Sequence, residues 1–203
     1  MEDENKVAEL FERVHNYIKF PCFVKPANAG SSVGVGKASD EHQLLDALKN
    51  AAIYDAKILI EQFINAREIE CAVLGNRFPK ASVLGEIVAS NEFYDYKAKY
   101  VDNKSVCIIP AELSGDVSET IRNLACKAFK ALQCDGLSRV DFFVDKDTGE
   151  IFINEINTLP GFTSISMYPM LWNATGIGYT KLLDELYQLA VDRMSACKRE
   201  IEI

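Results

Sequence analysis

Two short segments near the end of the chain carry side chains that could hold a metal ion. They are SRVDFFVD, with Arg139, Asp141 and Phe143, and EIFINEIN, with Glu155 and Asn157. Both read as strands, joined by the turn sequence DKDTGE. With a strand period of two, Arg139, Asp141 and Phe143 share a face, and so do Ile153, Glu155 and Asn157. A hairpin centred on Thr148 sets residue 141 opposite 155, with Cβ atoms about 4.5–5.5 Å apart. Two carboxylates and an amide oxygen converging there would call for a cation. Oxygen-only ligands suit Mg²⁺ or Mn²⁺ rather than zinc. The plain alternative is a solvated acidic hairpin in which Arg139 pairs with Asp141.

Three further segments could do chemistry. Lys25-Pro26-Ala27-Asn28-Ala29-Gly30-Ser31-Ser32-Val33-Gly34-Val35-Gly36 follows a short apolar strand. Its glycines allow close backbone approach, its N–H groups and the Ser31 and Ser32 hydroxyls can ring a phosphate, and Lys25 can add a point charge. It is neither a Walker loop nor a dinucleotide fingerprint, and a flexible glycine turn is its plain alternative. Glu61 and Glu68 flank a connector after the strand KILI; the segment can meet an adenine edge and ribose hydroxyls, or be two surface glutamates. Phe93–Tyr100, with Lys97, Lys99 and Tyr100, reads as a basic lid that excludes water, or as an Ω-loop packed on its own aromatics.

The elements that must position these groups follow from periodicity. Val7, Leu10, Phe11 and Val14 predict a helix over 4–18. FPCFVKP (20–26) reads as a strand, and DEHQLLDALKNAAIYD as a helix capped by Ser39 or Asp40. Residues 57–63, 68–75 and 81–89 read as strands, the last two as a hairpin. Residues 90–110 sustain no period. GDVSETIRNLACKAFKALQ is amphipathic, and two helices are expected at roughly 166–175 and 178–199, with Tyr168, Leu171 and Trp172 packing inward. This mixture is α+β, or mixed α/β, with a boundary after about residue 70.

Composition narrows the function classes. The chain has 203 residues, a formal net charge of −8 and 48% hydrophobic residues, enough for a buried core. The acidic balance argues against coating nucleic acid. No run is long and uncharged enough to span a bilayer, and the acidic start resembles no leader, so a soluble cytoplasmic protein is expected. Six cysteines without CxxC spacing and two histidines, His15 and His42, make zinc an improbable cofactor. The cysteines read as reduced core thiols.

Together, FVKPANAGSSVGVGKA, IEQFINAREIECAVLG, EFYDYKAKY, LSRVDFFVD and INEINTLPGFTSISMYP resemble the ATP-grasp family, and within it the D-alanine–D-alanine ligases. The resemblance covers the chain from about residue 20 onward. It implies a C-terminal ATP-grasp domain (71–203) preceded by an incomplete central one (1–70), corresponding to the C-terminal two-thirds of such a ligase. It also implies ATP and Mg²⁺ or Mn²⁺, with two ions, and D-alanine as substrate. Its reaction would join two D-alanines through an acyl phosphate into D-alanyl-D-alanine for peptidoglycan. Carried over, Lys25, Ser31 and Ser32 take the phosphates. Glu61, Ile64, Glu68 and Phe143 take the nucleoside, and Lys99 and Tyr100 close the lid. Arg139 and the Gly161 amide stabilise the oxyanion, while Asp141, Glu155 and Asn157 hold metal. Ser166 and Met167 grip the second substrate, and Tyr100 and Met167 favour D-alanine there. The alternatives are a nucleotide-binding fragment inactive alone, or a ligase making D-Ala–D-Ser or D-Ala–D-lactate. A homodimer and a separate N-terminal domain are the partners the resemblance suggests.

Overall fold

The computed structural model describes residues 2–30, 32–88 and 106–196. Ser31, Lys97, Lys99, Tyr100, the rest of the expected lid up to residue 105, and Cys197 lie outside the described residues. The chain divides into two compact units, whose described parts are 2–64 and 65–88 with 106–196. The break falls between Ile64 and Asn65, a few residues ahead of the boundary expected from sequence, because the whole of the strand Ala66–Gly75 pairs within the second unit.

In the first unit, helix α1 (Glu2–Arg13) runs into a wider π-helical turn, Val14–Ile18. Strand β1 (Cys22–Pro26) is the middle of a three-stranded antiparallel sheet, flanked by β2 (Gly36–Ala38) and β3 (Ile58–Gln62). Sequence alone places Gly36–Ala38 in the glycine loop, whereas the structure makes it a strand. Three residues at the end of a glycine-rich stretch carry no usable period, and only pairing with Cys22–Val24 reveals the strand. Helix α2 (Glu41–Ala51) begins at Asp40, whose side chain accepts from the Gln43 N–H, while the Ser39 N–H donates to the Gln43 side chain. This reciprocal cap is a common helix start, and losing its Asp typically costs about 1 kcal/mol. Cys22, Val24, Ala38, Leu44, Ala47 and Ala51 are buried together, so the core face of β1 leaves Phe23 and Lys25 on the other face.

The second unit is built on a five-stranded antiparallel sheet in the order β6-β5-β4-β7-β8. The strands are β4 (Ala66–Gly75), β5 (Lys80–Val88), β6 (Val106–Ile108), β7 (Gly136–Asp145) and β8 (Ile151–Asn157). One face carries Ile69, Cys71, Val73, Val140, Phe142 and Val144. It is covered by Ile121, Ala125 and Phe129 of helix α3 (Gly115–Ala131), which recur every four residues. Among the described residues of this unit, the opposite face is covered at one end only. There Ala72 and Leu74 pack under Tyr168, Leu171 and Trp172 of helix α4 (Met167–Ala174) and Leu182 of α5 (Tyr179–Ala196). The Thr175 hydroxyl accepts from the Val83 N–H and fixes the end of α4 on β5. Arg67 clamps Glu86 with two hydrogen bonds of 2.8 and 2.6 Å and donates a third to the Glu112 carbonyl, tying β4, β5 and the segment before α3.

Tyr168, Leu171 and Trp172 are core residues as expected. The reading of the cysteines as core thiols needs one correction. Cys22 and Cys71 are buried, but Cys107 is exposed, because its strand is a three-residue edge strand. The five described cysteines are all free. Burial pushes the Cys71 thiol up to about 12, and so makes it inert. Among the described residues, no helix is long and apolar enough to cross a membrane.

Candidate active site

The part of the sheet that α4 and α5 leave open is where the sequence-predicted residues of the second unit gather. β4, β7 and β8 align them in cross-strand rows. Glu68 faces Phe143, Glu70 faces Asp141, and Asp141 faces Glu155, with Arg139 facing Asn157 in the next row. Residues paired this way project to one side of the sheet. The hairpin gives the expected Asp141–Glu155 pair, but by a different route. The ladder leaves the turn as Val144–Ile151 and Phe142–Ile153, then shifts by one residue before Asp141–Glu155. Asn154 is the extra residue of a bulge. Ile153 pairs with Phe142, so it does not share a face with Glu155, and that sequence-based expectation is corrected.

Arg139 is the centre of charge. Its Nε donates to Asp141 Oδ1 and its Nη2 to Asp141 Oδ2, both at 2.7 Å, and Nε lies 3.1 Å from Glu70 Oε2. Burial works against the guanidinium charge, but Asp141, Glu70 and Glu155 outweigh it and keep the group firmly protonated. The pairing the sequence offered as a plain alternative, Arg139 with Asp141, is therefore present alongside the carboxylate convergence.

The donor set fits a divalent cation. Asn157 Nδ2 donates to Asp141 Oδ2 and to Glu155 Oε1, each at 3.1 Å. One hydrogen-bonding nitrogen thus bridges two carboxylates, a place a cation would also satisfy. Turning the amide over presents Oδ1 instead, which makes three oxygen donors. Among the described residues no group of three His, Cys, Asp or Glu side chains converges on a metal position, so the set is two carboxylates and an amide. Such a set is suited to an ion that keeps water and phosphate ligands.

In the first unit the outward face of the small sheet carries the other group. Lys25 Nζ is 2.7 Å from Glu61 Oε2, and Phe23 pairs with both Lys37 and Glu61 across the strands. Lys37 Nζ sits 4.4 Å from the Phe63 ring centre, adding a cation the sequence reading did not single out. Ile64 follows directly and is half-buried. The glycine loop is anchored at its base: Asp55 Oδ2 accepts from the Asn28 N–H at 2.8 Å and from the Asn28 amide at 2.7 Å. Gly34 lies at φ +74°, and a Cβ there would stand 2.5 Å from the Tyr54 ring and 2.8 Å from Pro26. Ser32, at φ 58°, is in the described part of the loop.

The segment after β8 brings Gly161 and Ser166 together. A Cβ on Gly161 would lie 2.9 Å from Ser166 Oγ, which accepts from the Thr163 N–H. Met167, the first residue of α4, is 6% exposed and belongs to the core between that helix and the sheet, where its side chain packs over Gly85. Glu70, which sequence alone does not single out, joins the Asp141 group through Arg139. Only the strand register separates it from an ordinary outward glutamate.

The profile of the family described as "D-ala D-ala ligase C-terminus" matches residues 1–188. The chain belongs to this family. It is 58% identical over 196 residues to the D-alanine–D-alanine ligase of Acetivibrio thermocellus, covering 97% of this chain and 52% of that one. To the ligase of Bacillus cytotoxicus it is 50% identical, covering 94% and 52%. Among solved structures, it superposes on the D-alanine–D-alanine ligase of Coxiella burnetii with TM-score 0.81 and 38% identity, over 94% of this chain and 50% of that one. The VanG D-Ala:D-Ser ligase of Enterococcus faecalis gives TM-score 0.81 and 38% identity over 91% and 53%. The fold is therefore that of the D-alanine–D-alanine ligases, the ATP-grasp architecture. The chain spans about half the length of these relatives, less than the two-thirds the sequence resemblance implied.

Proposed function

We propose that this chain carries the nucleotide- and metal-handling half of a D-alanine–D-alanine ligase, working in the cytoplasm on peptidoglycan precursors. The observation that supports this best is the convergence of Asp141, Glu155 and Asn157 beside Arg139. In this reading the two units are part of a central ATP-grasp subdomain and a C-terminal ATP-grasp domain. Lys25, Ser31 and Ser32 bind the ATP phosphates, and Glu61, Ile64, Glu68 and Phe143 take the adenine and ribose. Asp141, Glu155 and Asn157 would hold Mg²⁺ or Mn²⁺, two ions in this reading. Bound there, the metal neutralises phosphate charge during transfer.

ATP phosphorylates the carboxylate of a first D-alanine and leaves as ADP; the amine of a second attacks the resulting acyl phosphate, loses a proton, and expels inorganic phosphate as the peptide bond forms. Negative charge grows on the attacked carbonyl oxygen. Arg139, fixed in orientation by its carboxylate partners, and the Gly161 N–H stabilise it. Ser166 and the backbone of Met167 hold the second substrate's carboxylate, and Lys99 and Tyr100 exclude water. A second reading, a nucleotide-binding half that needs the remainder of a ligase to turn over, is favoured by one observation: the relatives are about twice as long.

The test is D-alanine-dependent ADP release by residues 1–203 with Mg-ATP, with product checked as D-alanyl-D-alanine. Turnover that falls by roughly 10²–10³ in Arg139→Ala supports the first reading. Mg-ATP binding that is lost in Asp141→Asn, without turnover, supports the second. Mg-ATP binding indifferent to both Asp141→Asn and Glu155→Gln overturns the metal assignment.

A further inference from the structure

Asp141 has two demands on it. Both of its oxygens are engaged by Arg139 at 2.7 Å, and Oδ2 also accepts from Asn157. A carboxylate bound in this way is a poor metal ligand, and a guanidinium beside an incoming cation repels it. For Asp141 to turn to a metal, Arg139 must release at least one of its oxygens. Its side chain is only 21% exposed, and a buried guanidinium left without a counter-charge is strongly disfavoured. A second carboxylate therefore has to be in reach before the exchange occurs.

The geometry points to Glu70 as that group: a positioning residue that keeps Arg139 in place when Asp141 turns to a divalent cation. Glu70 lies directly across from Asp141 in the β4–β7 register, and its Oε2 is 3.1 Å from Arg139 Nε. Its side chain is 13% exposed, the same as that of Asp141, so the two carboxylates hold the arginine in equally sheltered surroundings. On its other side Glu70 faces Gly85, whose place beside the sheet is filled by the Met167 methyl and Leu171. Arg139 is thus shared between a carboxylate that can leave and one that stays.

This inference rests on reading Asp141, Glu155 and Asn157 as metal ligands, and the experiment separates the two. Mn²⁺ binding to the 203-residue chain is titrated by electron paramagnetic resonance with saturating ATP. The chains compared are the parent, Glu70→Gln, Glu70→Asp, Asp141→Asn, Arg139→Met and the Glu70→Gln/Arg139→Met pair. ATP binding is measured in parallel with metal chelated, and folding by thermal melting. We expect Glu70→Gln to weaken Mn²⁺ about tenfold, the lower end of the range for residues that orient metal ligands, with metal-free ATP binding unchanged. Glu70→Asp, which keeps the charge, recovers part of the loss and serves if the glutamine variant does not fold. The deciding arm is the double variant. Without Arg139 there is nothing for Glu70 to hold, so most of the tenfold loss disappears. A loss of equal size in both backgrounds shows Glu70 acting on the cation directly and overturns the proposal. So does an unchanged affinity in Glu70→Gln while Asp141→Asn abolishes binding. If Asp141→Asn leaves Mn²⁺ binding intact, the metal reading itself falls, and the inference with it.

Discussion

At the turn between β7 and β8, Asp145 Oδ1 accepts from the N–H groups of Asp147 at 2.8 Å and Thr148 at 2.7 Å. These bonds favour the ionised carboxyl and hold it below its ordinary value of 3.8. A group whose pKa is lower in the folded than in the unfolded chain adds stability above the unfolded value. That contribution drains away as pH falls through the folded one. Asp145→Asn keeps a hydrogen-bond acceptor and loses only the charge. Its melting temperature is therefore expected to lie below the parent's at pH 6–7, with the gap closing below about pH 4. A gap independent of pH would assign the effect to geometry instead. Asp141, Glu155 and Arg139 were legible because residue type and strand period together suggested their chemistry. Glu70 was not, because EIEC alternates like any half-buried strand, and its meaning depends on which β7 residue stands opposite.

Among the elements, the β7–β8 hairpin teaches the most. Centring it on Thr148 gave the right pair, yet the ladder that leaves the turn is out of step with that centre, and Asn154 makes up the difference. A regular ladder continued from Val144–Ile151 would set Asp141 against Asn154 and send Glu155 to the core face. Deleting Asn154 removes the bulge while leaving Phe142–Ile153 and Asp141–Glu155 paired. The deletion variant is expected to retain Asp141-dependent Mn²⁺ binding within about tenfold of the parent. Complete loss would mean that the bend made by the bulge, and not the pairing, shapes the site. Helices with strong apolar stripes and clear caps, such as α2 and α3, could be read from sequence. β2 could not, because a strand of three residues is defined by its partner alone.

On the scale of the molecule, each of the two units carries its own charged group. Lys25 and Glu61 face outward from a small sheet, and the carboxylate row lies on the open end of a larger one. Relatives about twice as long set the expectation for activity. Supplying the N-terminal half of the Acetivibrio thermocellus ligase as a separate chain is expected to raise D-alanine-dependent ADP release by at least tenfold over residues 1–203 alone, since orienting a substrate contributes orders of magnitude. No increase, with both chains folded, would show that this chain's turnover does not depend on that half. The family assignment is legible from short segments in order, while the share of the relatives spanned is legible only roughly, because the segments fix order and spacing but not the length of the relatives.

Met167 stands where the family resemblance places second-substrate choice, and it is also a buried core residue seated on Gly85 beside Leu171. On the proposed function, substrate preference and fold stability would share one position. A mutation that explored a new acceptor there would also disturb the packing between α4 and β5, and would survive selection only in a lineage whose core had already gained stability elsewhere. Change at residue 167 should accordingly arrive late and in company, with substitutions around Gly85 and Leu171 preceding it in an evolving population.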